Sequence, residues 1–289
     1  MSALHEAPLD PVLPHLAAAL DEARMASLFQ RQLDASAASV DVRACAIERV
    51  KYRPGRSCIV AYRLTLRDAN GRSNEQRSYA GLYEAADAHE RYARVRCAQA
   101  PSACGLPGAA LIAPLNMLLR WFPDDRKLPA LGRLADAEAM RRTFVEPLAR
   151  ARFGESVCIA HAHQRLVSYF PEHTCTIAVD CQLARADAHR DGAPWPAADT
   201  WTVYGKMRCD DAAARTFALM RALAAASART PGIVGYAKPL AYDPALRLLW
   251  QEGIAQPTLA RSLDTNAGTA ACARVGAAIA ALHDTPLRE

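Results

Sequence analysis

Two stretches, Val50-Lys-Tyr-Arg-Pro-Gly-Arg-Ser-Cys-Ile-Val-Ala61 and Val167-Ser-Tyr-Phe-Pro-Glu-His-Thr-Cys-Thr-Ile-Ala178, decide how this chain is read. Each alternates, breaks at a proline turn, and alternates again, which is the pattern of a strand, a turn and a returning strand. At an offset of 117 residues Val50/Val167, Tyr52/Tyr169, Pro54/Pro171, Cys58/Cys175, Ala61/Ala178 and Leu66/Leu183 are identical. Ser57/Thr174 and Val60/Ile177 are conservative pairs. Shared turn chemistry at Tyr-x-Pro is the competing explanation. The order of elements on either side favours a repeat.

Outward from the first copy, Leu16, Leu20, Leu28 and Phe29 recur at helical intervals across 14–33, with Pro11 and Pro14 at the start. A strand over 40–52 puts Arg49, Lys51 and Arg53 on one face and Val50 and Tyr52 on the other. Strands are expected over 58–66 and 77–83, with Asn70-Gly71 in the connection, then a helix over 84–97. A loop over 101–108 leads to strands over 110–113 and 117–122. Residues 135–152 read as a helix that Pro147 kinks or splits. After a longer connection over 184–200, Ser78-Tyr-Ala-Gly-Leu82 aligns with Val203-Tyr-Gly-Lys-Met207, and a helix and strand pair follow in both copies. Trp121 and Trp250 are read as ending corresponding strands and packing on the adjoining helix. The expected class is α+β: two related, mostly antiparallel sheets, each with a packed helix.

Composition sets the outer bounds. With 289 residues, 51% of them hydrophobic, the chain can bury one large core or two ordinary ones. A formal net charge of +5 does not by itself demand a nucleic acid or an acidic membrane. Nine scattered cysteines with no C-x-x-C indicate neither a zinc cage nor a disulfide framework. The early acids and prolines of 1–10 do not read as a secretory signal, and no apolar run reaches bilayer length. The expectation is a cytoplasmic protein.

Three clusters carry weaker signals. Arg49, Lys51, Arg53 and Arg56 around Tyr52 invite a nucleic-acid reading, but no recognisable binding module surrounds them and a solvated basic strand face accounts for the pattern. His161 and His163 share a strand face and could recruit His173 to a metal, yet no positioned carboxylate or cysteine accompanies them, so no metal is assigned. Cys58 and Cys175 occupy matching positions and read as small buried side chains rather than nucleophiles.

Lys206 is the candidate with chemistry. It lies in the strand Trp201-Thr-Val-Tyr-Gly-Lys-Met-Arg208, one connection before a helix, where an ammonium can reach phosphates lying across the sheet. The solvated-lysine alternative stays open at this point. In the first copy the equivalent position is Gly81.

Tyr169-Phe-Pro-Glu-His-Thr-Cys175, Tyr204-Gly-Lys-Met-Arg208, Ala241-Tyr-Asp-Pro-Ala-Leu-Arg-Leu-Leu-Trp-Gln-Glu-Gly253 and Ala277-Ala-Ile-Ala-Ala-Leu-His283 resemble the N-lobe, hinge and first C-lobe helix of the aminoglycoside phosphotransferase and choline kinase superfamily, which has a protein-kinase-like fold. The resemblance spans 157–286, and 49–131 resembles a second, degenerate N-lobe. It implies a cap over 1–152, an N-lobe with hinge over 153–256, and the start of a helical C-lobe over 257–289. Lys206 would bind phosphates. Leu249, Trp250, Gln251 and Glu252 would form the hinge whose backbone meets adenine, and the loop holding Phe170, Glu172, His173 and Thr174 would cover the phosphates. The implied cofactor is ATP, with magnesium only where a complete C-lobe is present.

The family's pattern is departed from in two places. Between Ala212 and Arg229 no Asp or Glu is available to pair with the lysine. The catalytic-loop and metal-binding aspartates, which follow the Leu-His helix in the family, have no counterpart here, and His283-Asp284 lacks the downstream Asn. No catalytic residue is therefore named. The expectation is the N-terminal part of an ATP-dependent O-phosphotransferase acting on a sugar, aminoglycoside or amino alcohol, inactive as it stands. The alternative is a non-catalytic, pseudokinase-like binding module. The partners expected of this protein are a nucleotide and a small hydroxyl acceptor, with no nucleic acid or membrane. Apolar Leu263, Ile279 and Leu282 would favour self-association.

Overall fold

A computed structural model describes residues 8–35, 39–96, 109–185, 200–229, 236–254 and 268–283. The sequence readings at 101–108, most of the 184–200 connection, Leu263, Asp284 and the Leu282 side chain fall outside them. The protein is α+β, built on two five-stranded antiparallel sheets. It divides into two compact units, 1–132 with 170–172, and 133–169 with 173–289.

The first unit opens with helices α1 (Leu16–Ala19) and α2 (Glu22–Ala35), followed by strands β1 (Val40–Arg53), β2 (Ser57–Asp68) and β3 (Ser73–Leu82). Helix α3 (Ala85–Arg96) precedes β4 (Ala109–Ile112) and β5 (Met117–Trp121). The sheet order is β1-β2-β3-β5-β4. Alternation sorts its two faces. Val60, Tyr62, Leu64, Ala80, Leu119 and Trp121 turn toward α2, where Met25, Leu28, Phe29 and Leu33 are buried. Phe29 meets Tyr62 and Trp121 edge-on, each at 5.3 Å between ring centres. The Tyr62 hydroxyl donates to the Ala19 carbonyl at 2.7 Å, which satisfies the one polar atom that ring brings inside. On the other face Leu118 packs with Ala88, Tyr92 and Val95 of α3.

Helix α4 (Leu131–Ala135) runs across the division at 132, and the second unit continues with α5 (Ala137–Met140), a π-helical turn (Arg141–Val145) and α6 (Glu146–Phe153). Pro147 lies in the first turn of α6, where its missing N–H costs least, and the widened π turn stands before it. That is the split the sequence predicts. Strands β6 (Val157–Phe170), β7 (Thr174–Arg185) and β8 (Thr200–Arg208) follow, then α7 (Ala212–Arg229), β9 (Pro239–Asp243), β10 (Leu248–Glu252) and α8 (Gly268–His283). The order β6-β7-β8-β10-β9 reproduces that of the first sheet, and the bounds of β6 and β7 are those of β1 and β2 at the sequence offset.

The repeat is longer than the sequence suggested, because it includes the helix in front of each sheet. Phe144 lies 5.8 Å from Trp250 and Phe153 lies 5.3 Å from Trp201, so the 137–153 helical stretch covers the second sheet as α2 covers the first. The sequence reading groups 135–152 with the cap, whereas the contacts group 133–153 with the second sheet. The register also changes one pairing. Met117 pairs with Leu82 and Leu248 with Met207, so Leu119, not Trp121, is the counterpart of Trp250. The two tryptophans occupy the same face two residues apart, and each meets a phenylalanine of the preceding helix.

Candidate functional site

Lys206 sits on the third strand of the second sheet, paired across to Thr176 on β7 and Leu249 on β10. Leu249 in turn pairs with Tyr242, whose ring stacks on Phe217 of α7 at 6.0 Å. Directly opposed residues share a face, so Lys206 lies on the side of the sheet that α7 covers. Alternation places Tyr204, Arg208, Thr174 and Gln251 there too. Val203, Gly205 and Met207 point the other way and are buried.

The Lys206 side chain is exposed, yet the packed groups around its stem desolvate it and draw its pKa below the usual lysine value. Among the described residues no carboxylate pairs with it. The two acids nearest in sequence are used elsewhere: Asp210 binds Arg208 at 2.8 Å and Asp211 binds Arg247 at 3.0 Å. Helix α7 carries no acid. The Arg208 bond pulls Asp210 down to about 2, so that carboxylate stays committed near neutral pH. Farther along the face, Asp180 accepts from Thr202 Oγ1 at 2.7 Å and from Arg165 at 3.0 Å.

The other sequence candidates separate. Thr174 and Leu249 share the lysine's face, and Leu249 is buried. Trp250 turns to the opposite face, where its indole N–H is buried without a hydrogen-bond partner among the described residues. Glu252 points the same way as Trp250 and binds Arg152 at 2.6 Å. The Glu252 N–H donates to the Lys238 carbonyl at 2.8 Å and the Gly253 N–H to the Thr202 carbonyl at 2.7 Å, so these amides close the sheet. His173 is half-buried and accepts from the Cys209 N–H through its carbonyl at 2.9 Å. Among the described residues no three His, Cys, Asp or Glu side chains gather as metal ligands, and His161, His163 and His173 form no such group.

Phe170 and Glu172 belong to the first unit. Glu172 is 6% exposed and holds Arg126 through two hydrogen bonds, at 2.8 and 2.6 Å. Its backbone N–H donates to Asp125 at 2.8 Å, and Asp125 also accepts from the Lys127 and Leu128 N–H groups. The Phe170 ring lies under the Arg49 guanidinium at 4.5 Å. The 46-residue separation of Arg126 and Glu172 and the absence of a local motif hid this pair from the sequence. The one available signal was Glu172 at the turn position that Gly55 fills in the first copy: both adopt positive φ, 56° and 64°. A left-handed glutamate costs roughly 1–2 kcal/mol in backbone strain, which a functional or structural contact must offset.

At the first sheet's equivalent of Lys206, Gly81 pairs with Ile59 and Leu118. A β-carbon there would lie 2.5 Å from the Tyr83 hydroxyl. The tyrosine thus occupies the place of the missing side chain. Compared with protein-family models, curated proteins and solved structures, the chain matches none. Among the described residues no helix is long and apolar enough to cross a membrane.

Proposed function

We propose that the second unit is a kinase-like N-lobe that binds the phosphates of ATP at Lys206, as the N-terminal part of a phosphotransferase acting on a small hydroxyl acceptor: a sugar, an aminoglycoside or an amino alcohol. One observation carries the reading. The single lysine of β8 stands on the third strand of its sheet, on the face that the following helix covers, with no carboxylate among the described residues competing for it. Protein kinases place their phosphate-binding lysine on the third strand, and an unneutralised ammonium is the group that attracts a polyphosphate. Hydroxyls of Thr174 and Thr176 lie on the same face, and the buried Leu249 beside the lysine packs the strand that carries it. These residues suit a phosphate. They do not supply a magnesium site, and no step through the metal follows from them.

A second reading, a binding module without catalysis, has its own support. In kinases the lysine is aligned by a carboxylate from the next helix. Here α7 has none, and Asp210 and Asp211 serve arginines. Titration calorimetry with Mg-ATP on the full chain tests the shared core of both readings. Lys206→Ala is expected to weaken binding at least tenfold while the melting temperature holds. Equal affinity in the two proteins removes Lys206 from the account. Neither reading expects phosphate transfer from this chain, which shows no catalytic-loop aspartate motif, so the titration tests the binding that both share.

A further inference from the structure

The first unit contains a cavity of about 160 Å³ on the face of its sheet that α3 covers. Its cations come from distant parts of the sequence: Lys51, Arg53 and Arg56 from the β1–β2 hairpin, Arg91 from α3, and Arg126 and Lys127 after β5. Against these six stand two acids, Asp87 and Glu172, which leaves a surplus of four positive charges around one small space. The acids are already used. Asp87 binds Arg91 at 2.8 Å, and Glu172 serves Arg126 directly and Lys127 at 3.8 Å. Among the described residues no carboxylate pairs with Lys51, Arg53 or Arg56. Like charges gathered in a concave, partly dry space repel, and a counter-ion there is held more strongly than on an open face.

We propose that this cavity is a binding site for a small phosphorylated anion, separate from the nucleotide face of the second unit. Size selects the class. Pockets for drug-sized ligands run to roughly 300–1,000 Å³, so this one suits one or two phosphate groups better than a whole nucleotide. Side-chain type agrees with size, since guanidinium forks match phosphate oxygens two at a time. Among the described residues Ile59 and Tyr83 are its apolar lining, which leaves little for an aromatic base to stack upon. Concavity also argues against an extended nucleic-acid strand, which tracks an open groove with exposed aromatic rings. Glu172 fits as the internal anion that fills part of the site and holds Arg126 and Lys127 in place.

The test uses inorganic pyrophosphate as probe, titrated into the full chain at low ionic strength, with ADP and a single-stranded oligonucleotide in parallel. Saturable 1:1 binding is expected, weakened at least tenfold by Arg53→Ala/Arg56→Ala and unchanged by Lys206→Ala. Both arginines are exposed, so the double variant should melt like the wild type. Lys51→Met gives a second route to the same loss should it not. Three results overturn the proposal: no saturable binding, equal binding after both sets of changes, or loss of pyrophosphate binding in Lys206→Ala. Oligonucleotide binding that pyrophosphate cannot displace assigns the basic residues to nucleic acid instead. ADP binding that is lost in Lys206→Ala while pyrophosphate binding persists separates the two sites.

Discussion

The carboxylate of Glu172 grips the guanidinium of Arg126 by both oxygens, at 2.8 and 2.6 Å, from a backbone position normally left to glycine. The carboxylate is buried and the arginine side chain is 40% exposed. Removing the arginine strands a charge, whereas removing the acid frees a cation that water can still reach. Arg126→Ala should therefore cost about 2 kcal/mol, below the usual range for a fully buried pair because Lys127 remains nearby. Glu172→Gln should cost less. Urea denaturation of the two variants checks the order.

The same pair predicts an acid dependence. Burial raises the pKa of Glu172, but the hydrogen bond and charge of Arg126, with Lys127 and Arg120, outweigh it and hold the carboxyl below its ordinary value of 4.5. A depressed carboxyl contributes stability above about pH 4.5 and loses it as the pH falls through the folded-state value. The stability difference between wild type and Glu172→Gln should shrink on acidification and stay level from neutral to mildly alkaline pH. A difference that grows on acidification would contradict the pairing.

Gly205 and Gly132 should respond to alanine in opposite directions. A β-carbon on Gly205 would lie 3.0 Å from the Trp250 ring and 3.2 Å from Ile177, in a packed layer with little room to yield. Gly205→Ala should cost about 1–2 kcal/mol by overpacking. Gly132 is helical and a β-carbon there meets nothing within 4 Å, so Gly132→Ala should be neutral or gain up to ~1 kcal/mol. Thermal melts of the two variants suffice.

Phe29 and Trp121 should be energetically coupled. Their rings meet edge-to-face at 5.3 Å and both are almost wholly buried. Either residue changed to Ala should lose about 3–5 kcal/mol. The double variant should lose about 1 kcal/mol less than the sum, as a double-mutant cycle reads it.

Lys206 should acylate early. Its pKa is drawn down by its packed surroundings, so below pH 10 more of its amine is neutral than on an ordinary surface lysine. Peptide mapping after brief treatment with an amine-reactive reagent should find Lys206 among the first sites labelled, and Mg-ATP should slow that labelling alone. Protection that fails to appear argues against phosphate binding there.

Local alternation and turn residues made most strands legible. Val50 and Tyr52 pack on the core side as their spacing required, and Pro54-Gly55 marks the first hairpin. Lys206 is visible as the single lysine of a mixed strand that also ends in Arg208. What escaped depends on contacts between distant segments. The 137–153 helix reads as the end of the first copy because periodicity shows that a face is apolar but not which sheet covers it. Trp121 and Trp250 look equivalent until strand pairing shifts them by two residues. Lys51, Arg53 and Arg56 read as a solvated stripe, and Arg53 and Arg56 are exposed; that Arg91, Arg126 and Lys127 line the same space is not written in any one strand.

Gly81 and Tyr83 make the divergence of the two sheets hard to reverse. Restoring a lysine at Gly81 would drive its first carbon into the phenol, and that ring is buried beneath Arg91 at 4.4 Å. A single substitution cannot turn the earlier sheet into a copy of the later one; at least two must arrive together. The earlier sheet therefore admits a side chain at that place only together with a second change that moves the phenol.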